Sequence, residues 1–281
     1  MIPNGRALFK LQNDEQWLHL LSRSLHEPRI DGIELPRFPH PELQRRVVGS
    51  ADAQALNEAF AFFTLVKGYA EALAMPVHAK TPVLDFGCGW GRFTRMFWGD
   101  VDSDALFGVD VEPETLAVCK GVGTPGSFSH IEPNGPLPYA DQSFSLIVAY
   151  SVFSHLPQRL ADYWMGELAR VAKPGCVIAY TVEPRGFLDF ILEIPSPPRN
   201  DWERGLAQFK TRVFDLFEDY DDGRFCYLPT SGGMRLTADI YGDSIVPESY
   251  IREAWGKYFR CHAYIDEPAR FPQAVVIGQK P

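Results

Sequence analysis

Residues 83–95 read VLDFGCGWGRFTR, and this stretch decides the fold. Val83 and Leu84, branched and apolar, run into Asp85. Gly87, Gly89 and Gly91 then alternate with Phe86, Cys88, Trp90 and Arg92 before apolar residues return at helical spacing at Phe93, Met96 and Phe97. The pattern predicts a buried strand, a tight turn and the first turn of a helix. Glycine is needed where the backbone takes a positive φ or lies against a ligand, because a Cβ there would clash. Three glycines in five residues point to a bound small molecule. The free N–H groups at the start of the following helix favour an anionic group, worth roughly 0.3–1 kcal/mol. A dinucleotide turn has the spacing G-x-G-x-x-G, but here the third position after Gly89 is Arg92 and the last glycine arrives one residue early. The spacing therefore argues against a pyrophosphate and against an NAD-dependent oxidoreductase.

Outward from this turn the chain alternates strands and helices. ALFGVD at 105–110 reads as a second strand and VEPETLAVCK at 111–120 as a helix entered through Pro113. Residues 126–131 form a weak third strand. After the loop PNGPLPYADQ, FSLIVAY at 144–150 is a fourth strand, too continuously apolar to be half exposed. A helix over 156–172, a turn at 173–175 and a fifth strand over 177–182 follow. Strands alternating with helices require parallel strands joined by right-handed crossovers. Residues 185–242 break the rhythm and read as an insertion, either a lid or wall of the substrate site or decoration, with a helical stretch over 202–217. A helix over 247–255, a sixth strand over 258–265 and a last strand over 273–278 complete the chain.

Before the first strand, an amphipathic segment over 17–25 leads into a proline-rich arm in which Pro36, Pro39 and Pro41 preclude a long helix. From Ser50, a suitable N-cap, helical spacing runs to Pro76. The expected organisation is an N-terminal arm and helix over 1–79 and one α/β domain over 80–281. The chain has 281 residues, 27 basic and 36 acidic, and a net charge of −9 with no basic cluster, which disfavours a nucleic-acid partner. Cys88, Cys119, Cys176, Cys226 and Cys261 are widely spaced with no C-x-x-C, so neither a disulfide framework nor a zinc site is expected. A reducing, cytoplasmic setting fits. The first ten residues lack the apolar core of a signal peptide, and no apolar run approaches the ~20 residues that span a bilayer.

Asp85, Gly87, Gly89 and Gly91 form acid-x-Gly-x-Gly-x-Gly, which resembles the first motif of the class I S-adenosylmethionine-dependent methyltransferases. Three further stretches stand in register with that family: GVDVEPETL with its acid at Asp110, LPYADQSFSLIVAYSVFSHL, and ELARVAKPGCVIAYTVEP. With the terminal QAVVIGQKP the resemblance covers roughly residues 80–185 and 247–281. The prelude LPRFPHPELQRRVVGS, with FGCGWGR and SVFSHL, further resembles a bacterial subgroup found with sugar and polysaccharide genes. The resemblance implies a Rossmann-like seven-stranded, mostly parallel sheet with helices on both faces and the last strand antiparallel. It also implies S-adenosylmethionine as cofactor, with a small molecule or sugar-type compound as methyl acceptor and an oligomer possible.

Carried onto this chain, Asp110 would accept hydrogen bonds from the ribose diol, or else cap the next helix. Asp85 would orient the ligand's ammonium, with Val111 and Glu112 flanking adenine and ribose. Where relatives carry an acid before Leu-Pro this chain reads EPNGPLP, so Asn134 is the remaining candidate for the adenine edge. Arg92 either faces the methionine carboxylate or lies on an exposed helix face. Tyr150 is a further cofactor candidate, and Ser151, Tyr241 and Asp243 are candidate substrate residues. His155, five residues beyond the fourth strand, either takes a proton from a hydroxyl acceptor or caps the helix that starts near Pro157. His130 and His262 are expected to be packing residues. No metal-ligand pattern is present. The rival reading is a non-catalytic domain that binds the cofactor and acts through a protein partner.

Overall fold

The computed structural model describes residues 2–230 and 236–281. In chain order the helices that frame the site are α1 (Asp14–Ser24), α2 (Pro41–Val48), α3 (Asp52–Ala72), α4 (Arg92–Phe97), α5 (Pro113–Gly121), α6 (Gln158–Val171), α7 (Gly186–Glu193), α8 (Asp201–Ala207) and α9 (Val213–Asp221). The strands of the main sheet are β1 (Val83–Phe86), β2 (Leu106–Asp110), β3 (Ser127–His130), β4 (Phe144–Ala149), β5 (Ala172–Val182), β6 (Arg260–Ile265) and β7 (Ala274–Gln279). They lie in the order β6-β7-β5-β4-β1-β2-β3, and β7 alone runs antiparallel to its neighbours. The fold is the Rossmann-like sheet that the sequence implies.

Period-two alternation assigns each strand residue to one of two apolar layers. Leu84, Phe86, Ile147, Ala149, Ile178 and Tyr180 point to a layer filled by Trp164 and Met165 of α6 and by Trp255. Val83, Leu146, Val148, Val177 and Ala179 point to the opposite layer, filled by Trp17 of α1, Phe62 and Phe63 of α3, and Met96 and Phe97 of α4. Asp85 shares the parity of Val83 and therefore faces α4. A third apolar cluster, built on Leu188, Ile191, Leu206, Val213 and Ile245, belongs to the segment between β5 and β6.

Several local expectations need correction. The N-cap of α3 is Ala51, while the Ser50 hydroxyl donates instead to Glu58 Oε2. The proline-rich arm contains α2, which Pro41 starts at its first turn and Gly49 ends in the left-handed region, so the prolines bound a helix of eight residues. The stretch 202–217 is two helices, α8 and α9, separated by a 3₁₀ turn at Lys210–Arg212. Residues 173–175 lie within β5 as an irregularity in its register with β4. The end of the helix over 247–255 is a π-turn at Ile251–Trp255. Part of the insertion reading, residues 231–235, lies outside the described residues.

Candidate active site

The carboxyl ends of the parallel strands meet at one edge of the sheet, where α/β folds hold their ligands. Gly87, Gly89 and Gly91 all have positive φ, at 72°, 53° and 80°. Gly91 is the N-cap of α4, and a Cβ on Gly89 would stand 3.0 Å from Val47 Cγ1, so α2 covers the glycine turn. Asp110, 8% exposed, accepts from Gly89 N at 2.7 Å and from Glu112 N at 2.9 Å. The N-cap of α5, Glu112, has no side-chain cap bond, so Asp110 binds the glycine turn instead of capping that helix. Burial raises the Asp110 carboxyl above its ordinary pKa even against these two bonds. Asp85 is also buried; its Oδ2 accepts from Thr94 N at 2.8 Å and Thr94 Oγ1 at 2.6 Å, tying β1 to α4. Burial pushes it up to about 6, and the Thr94 bonds pull it back.

Arg92 does not lie on an exposed helix face. It is 3% exposed beneath α3, with Nη1 donating to Ala55 O at 3.4 Å and to Glu58 Oε2 at 3.3 Å. Its Nε is buried with no hydrogen-bond partner among the described residues. The Tyr150 ring packs against Phe93 and Phe62, with centroids 4.9 and 5.1 Å away, and 5.2 Å from the Arg92 guanidinium carbon. Burial pushes the Tyr150 phenol up to about 12. Val111 is half-buried, and its carbonyl meets His130 Nε2 at 3.1 Å. Asn134 is exposed in the loop after β3. His130 and His262 are also exposed, and neither fills a core.

The polar residues beyond β4 form a second group. His155 Nδ1 lies 2.8 Å from Gly242 O and 3.8 Å from Asp243 Oδ1, and Nε2 lies 3.2 Å from Ser151 Oγ. The Tyr241 ring stacks on the imidazole at 4.6 Å and 14°. His155 caps no helix: the N-cap of α6 is Pro157, with no side-chain bond. Asp243, 1% exposed, also accepts from Thr230 Oγ1 at 2.6 Å and from Trp202 Nε1 at 3.2 Å. Gln273, immediately before β7, donates to Ser151 Oγ at 3.2 Å and to Glu183 Oε1 at 2.7 Å. Burial first, then the Asp243 charge, pushes the Glu183 carboxyl up to about 8, against the Gln273 bond.

Residues 83–175 match the family model described as a methyltransferase domain. Among solved structures the chain is similar to an S-adenosylmethionine-dependent methyltransferase from Mesorhizobium loti, at 13% identity over 78% of this chain and 98% of that one, with a TM-score of 0.52. It is also similar to magnesium protoporphyrin IX methyltransferase from Synechocystis PCC 6803 with bound SAH, at 14% identity over 85% and 94% of the two chains and a TM-score of 0.52. At such identities the structural likeness carries the fold, and the matched domain carries the activity. The chain is an S-adenosylmethionine-dependent methyltransferase.

The donor set of this methyltransferase fits its cofactor. A buried carboxylate on backbone amides beside a positive-φ glycine turn suits a diol, and a buried guanidinium with an orphaned N–H suits a carboxylate. Among the polar residues of the site that escaped the sequence reading are Glu58, Glu183 and Gln273. Glu183 had a signal, since it follows the apolar run VIAYTV as Asp85 and Asp110 follow theirs. Glu58 and Gln273 had none, because only packing brings α3 over Arg92 and only the reversed direction of β7 puts its first residues at the carboxyl edge.

Proposed function

We propose that the methyltransferase acts on a hydroxyl of a small molecule or sugar-type acceptor, with His155 as general base. S-adenosylmethionine supplies an activated methyl cation equivalent, so the protein's part is to bind, align, exclude water and remove a proton. On this reading Asp110 accepts from the ribose hydroxyls, Arg92 pairs with the methionine carboxylate, Val111 and Tyr150 border the cofactor, and Asn134 lies at its adenine edge. Asp85 acts mainly through Thr94, holding α4 and the glycine turn in place.

One observation carries the acceptor reading: His155 is oriented as a base and not as a cap. A carbonyl only accepts, so the contact with Gly242 O assigns the proton to Nδ1 and leaves Nε2 as the lone-pair nitrogen. Asp243 stands 3.8 Å from Nδ1, where it stabilises the cation that forms when Nε2 takes a proton. A hydroxyl acceptor needs such a base, whereas an amine needs one only in its protonated form, which is why O-methylation is slightly favoured over N-methylation. The segment between β5 and β6 supplies Tyr241, Gly242 and Asp243, and Trp202, 44% exposed and stacked on Phe190 at 5.3 Å, adds an aromatic surface suited to a ring-shaped acceptor. The test is methylation of a panel of methyl glycosides, phenols and primary amines. Hydroxyl products lost in His155→Ala are expected, and turnover of amines alone would refute the reading.

A further inference from the structure

Both nitrogens of His155 are already engaged, and the polarity of each neighbour fixes every proton around them. With Nδ1 donating to Gly242 O, Nε2 accepts, so the Ser151 hydroxyl 3.2 Å away points its proton at the ring. Gln273 Oε1 accepts from the Thr181 hydroxyl at 2.6 Å, which makes the other end of the carboxamide the NH₂ that donates to Ser151 Oγ and to Glu183. Thr181 Oγ1 in turn accepts the Ser151 N–H at 2.7 Å. Tyr241 covers a face of the imidazole. Ser151 itself is held at a φ of 56°, a left-handed conformation that is strained for an L residue and that collects at functional sites.

We propose that Ser151, rather than the imidazole itself, meets the proton of the acceptor hydroxyl, and that Gln273, held from behind by Glu183, positions the Ser151 hydroxyl to hand its own proton to Nε2 of His155. This rests on the reading of His155 as base of a hydroxyl methylation. Ser151 Oγ gives one lone pair to Gln273 and keeps the other for the acceptor's O–H. As the acceptor oxygen receives the methyl, its proton lands on Ser151 Oγ while the Ser151 proton lands on Nε2. The C–S pair stays on sulfur, the serine hydroxyl is restored, and the imidazole leaves as a cation facing Asp243. Gln273 and Glu183 touch no acceptor; they are positioning residues.

The test uses methyl β-D-glucopyranoside and catechol as hydroxyl probes, together with histidine ¹⁵N NMR of the free protein. Ser151→Gly, which suits the positive φ, and Ser151→Ala as its check, are expected to lower kcat on the methylated probe by about 10²-fold or more, as His155→Ala does. The double variant Ser151→Gly/His155→Ala should be no slower than either single one, because the two residues act in series. Gln273→Met and Glu183→Leu should lower kcat about tenfold with the KM for S-adenosylmethionine unchanged, and Glu183→Gln should recover most of the loss. In the free protein the Nε2 resonance of neutral His155 should move toward the unbonded value in Ser151→Gly and partway in Gln273→Met. Wild-type rates in both serine variants while His155→Ala is slow, or an Nε2 resonance unmoved by Ser151→Gly, would overturn the relay alone. A wild-type rate in His155→Ala, or methylation of neither probe, would overturn the hydroxyl-base reading and the relay with it.

Discussion

At the scale of single residues the proposed roles separate holding the cofactor from removing a proton. Asp110 makes its hydrogen bonds to backbone amides of the glycine turn and of Glu112, so its loss leaves donors of the site unpaired as well as removing the proposed contact to the ribose diol. Asp110→Ala is expected to weaken S-adenosylmethionine binding by about 1.5–3 kcal/mol in isothermal titration, the usual range for a hydrogen bond to a charged group. Gly89 adds a conformational argument. Alanine there would have to hold a φ of 53° and press on Val47, at about 1–2 kcal/mol for the backbone alone, so Gly89→Ala should remove most cofactor affinity and lower the melting temperature only modestly. His155 predicts a different split. His155→Asn retains a side-chain donor for Gly242 O and should keep stability, yet its turnover should fall by roughly 10²–10⁴-fold because an amide is no base. Equal turnover in the Asn variant and wild type would remove the imidazole from the chemistry.

At the scale of elements, the segments outside the sheet do two separate tasks. The arm and α2 lie over the glycine turn and are anchored by Arg95, a fully buried residue of α4 whose guanidinium donates to Pro36 O at 2.7 Å and Arg37 O at 2.5 Å and stacks 4.0 Å from Phe38. Burial drives Arg95 down to about 9, a sign of how little else compensates its charge. Arg95→Met is expected to free the arm, seen as faster proteolysis between α1 and α3, and to weaken cofactor binding through loss of α2. The segment between β5 and β6 has its own apolar cluster and reaches the site through Tyr241, Gly242 and Asp243. Replacing residues 188–240 by a short Gly–Ser linker should abolish turnover while S-adenosylmethionine affinity persists, because the glycine turn, Asp110 and Arg92 all lie outside it. Retained turnover with unchanged acceptor preference would make the segment decoration.

At the scale of the whole molecule, buried carboxyls tie stability to pH. Glu183 is raised from about 4.5 to about 8 in the folded state, by burial first and by Asp243 second. A raised carboxyl means the folded protein binds more protons than the unfolded chain between those two values, so stability falls as pH rises through that window. Asp85, raised to about 6, adds the same sign over the lower part of it. Urea denaturation from pH 5 to 8 (about the span of the shift) should therefore show declining stability in the wild type. Glu183→Gln should flatten that decline by up to about 1.4 kcal/mol per pH unit, the limit for one proton. An identical slope in the two proteins would mean that Glu183 ionises in place. Among the described residues no helix is long and apolar enough to cross a membrane.

What the sequence determined by itself follows from periodicity and from glycine. Continuous apolar runs ending in an acid, separated by helix-period stretches, have one economical solution, the doubly covered parallel sheet, and the positive φ of Gly87, Gly89 and Gly91 was legible because no other residue takes that conformation freely. Asp110 was legible as well, since it ends a strand beside that turn. Contacts between distant segments were not. His155 and Gly242 are 87 residues apart, Ser151 and Gln273 122 apart, and no local pattern says that the loop after β4 meets the return of the insertion or the start of an antiparallel strand. The tertiary structure decided that Arg92 is buried under α3, that α2 shields the glycine turn, and that the imidazole of His155 is oriented from one side by a carbonyl and from the other by a hydroxyl. The physical reason is the range of the forces: backbone preference acts within a turn of chain, whereas the partners of a buried polar group are chosen by whatever packing brings within about 3 Å.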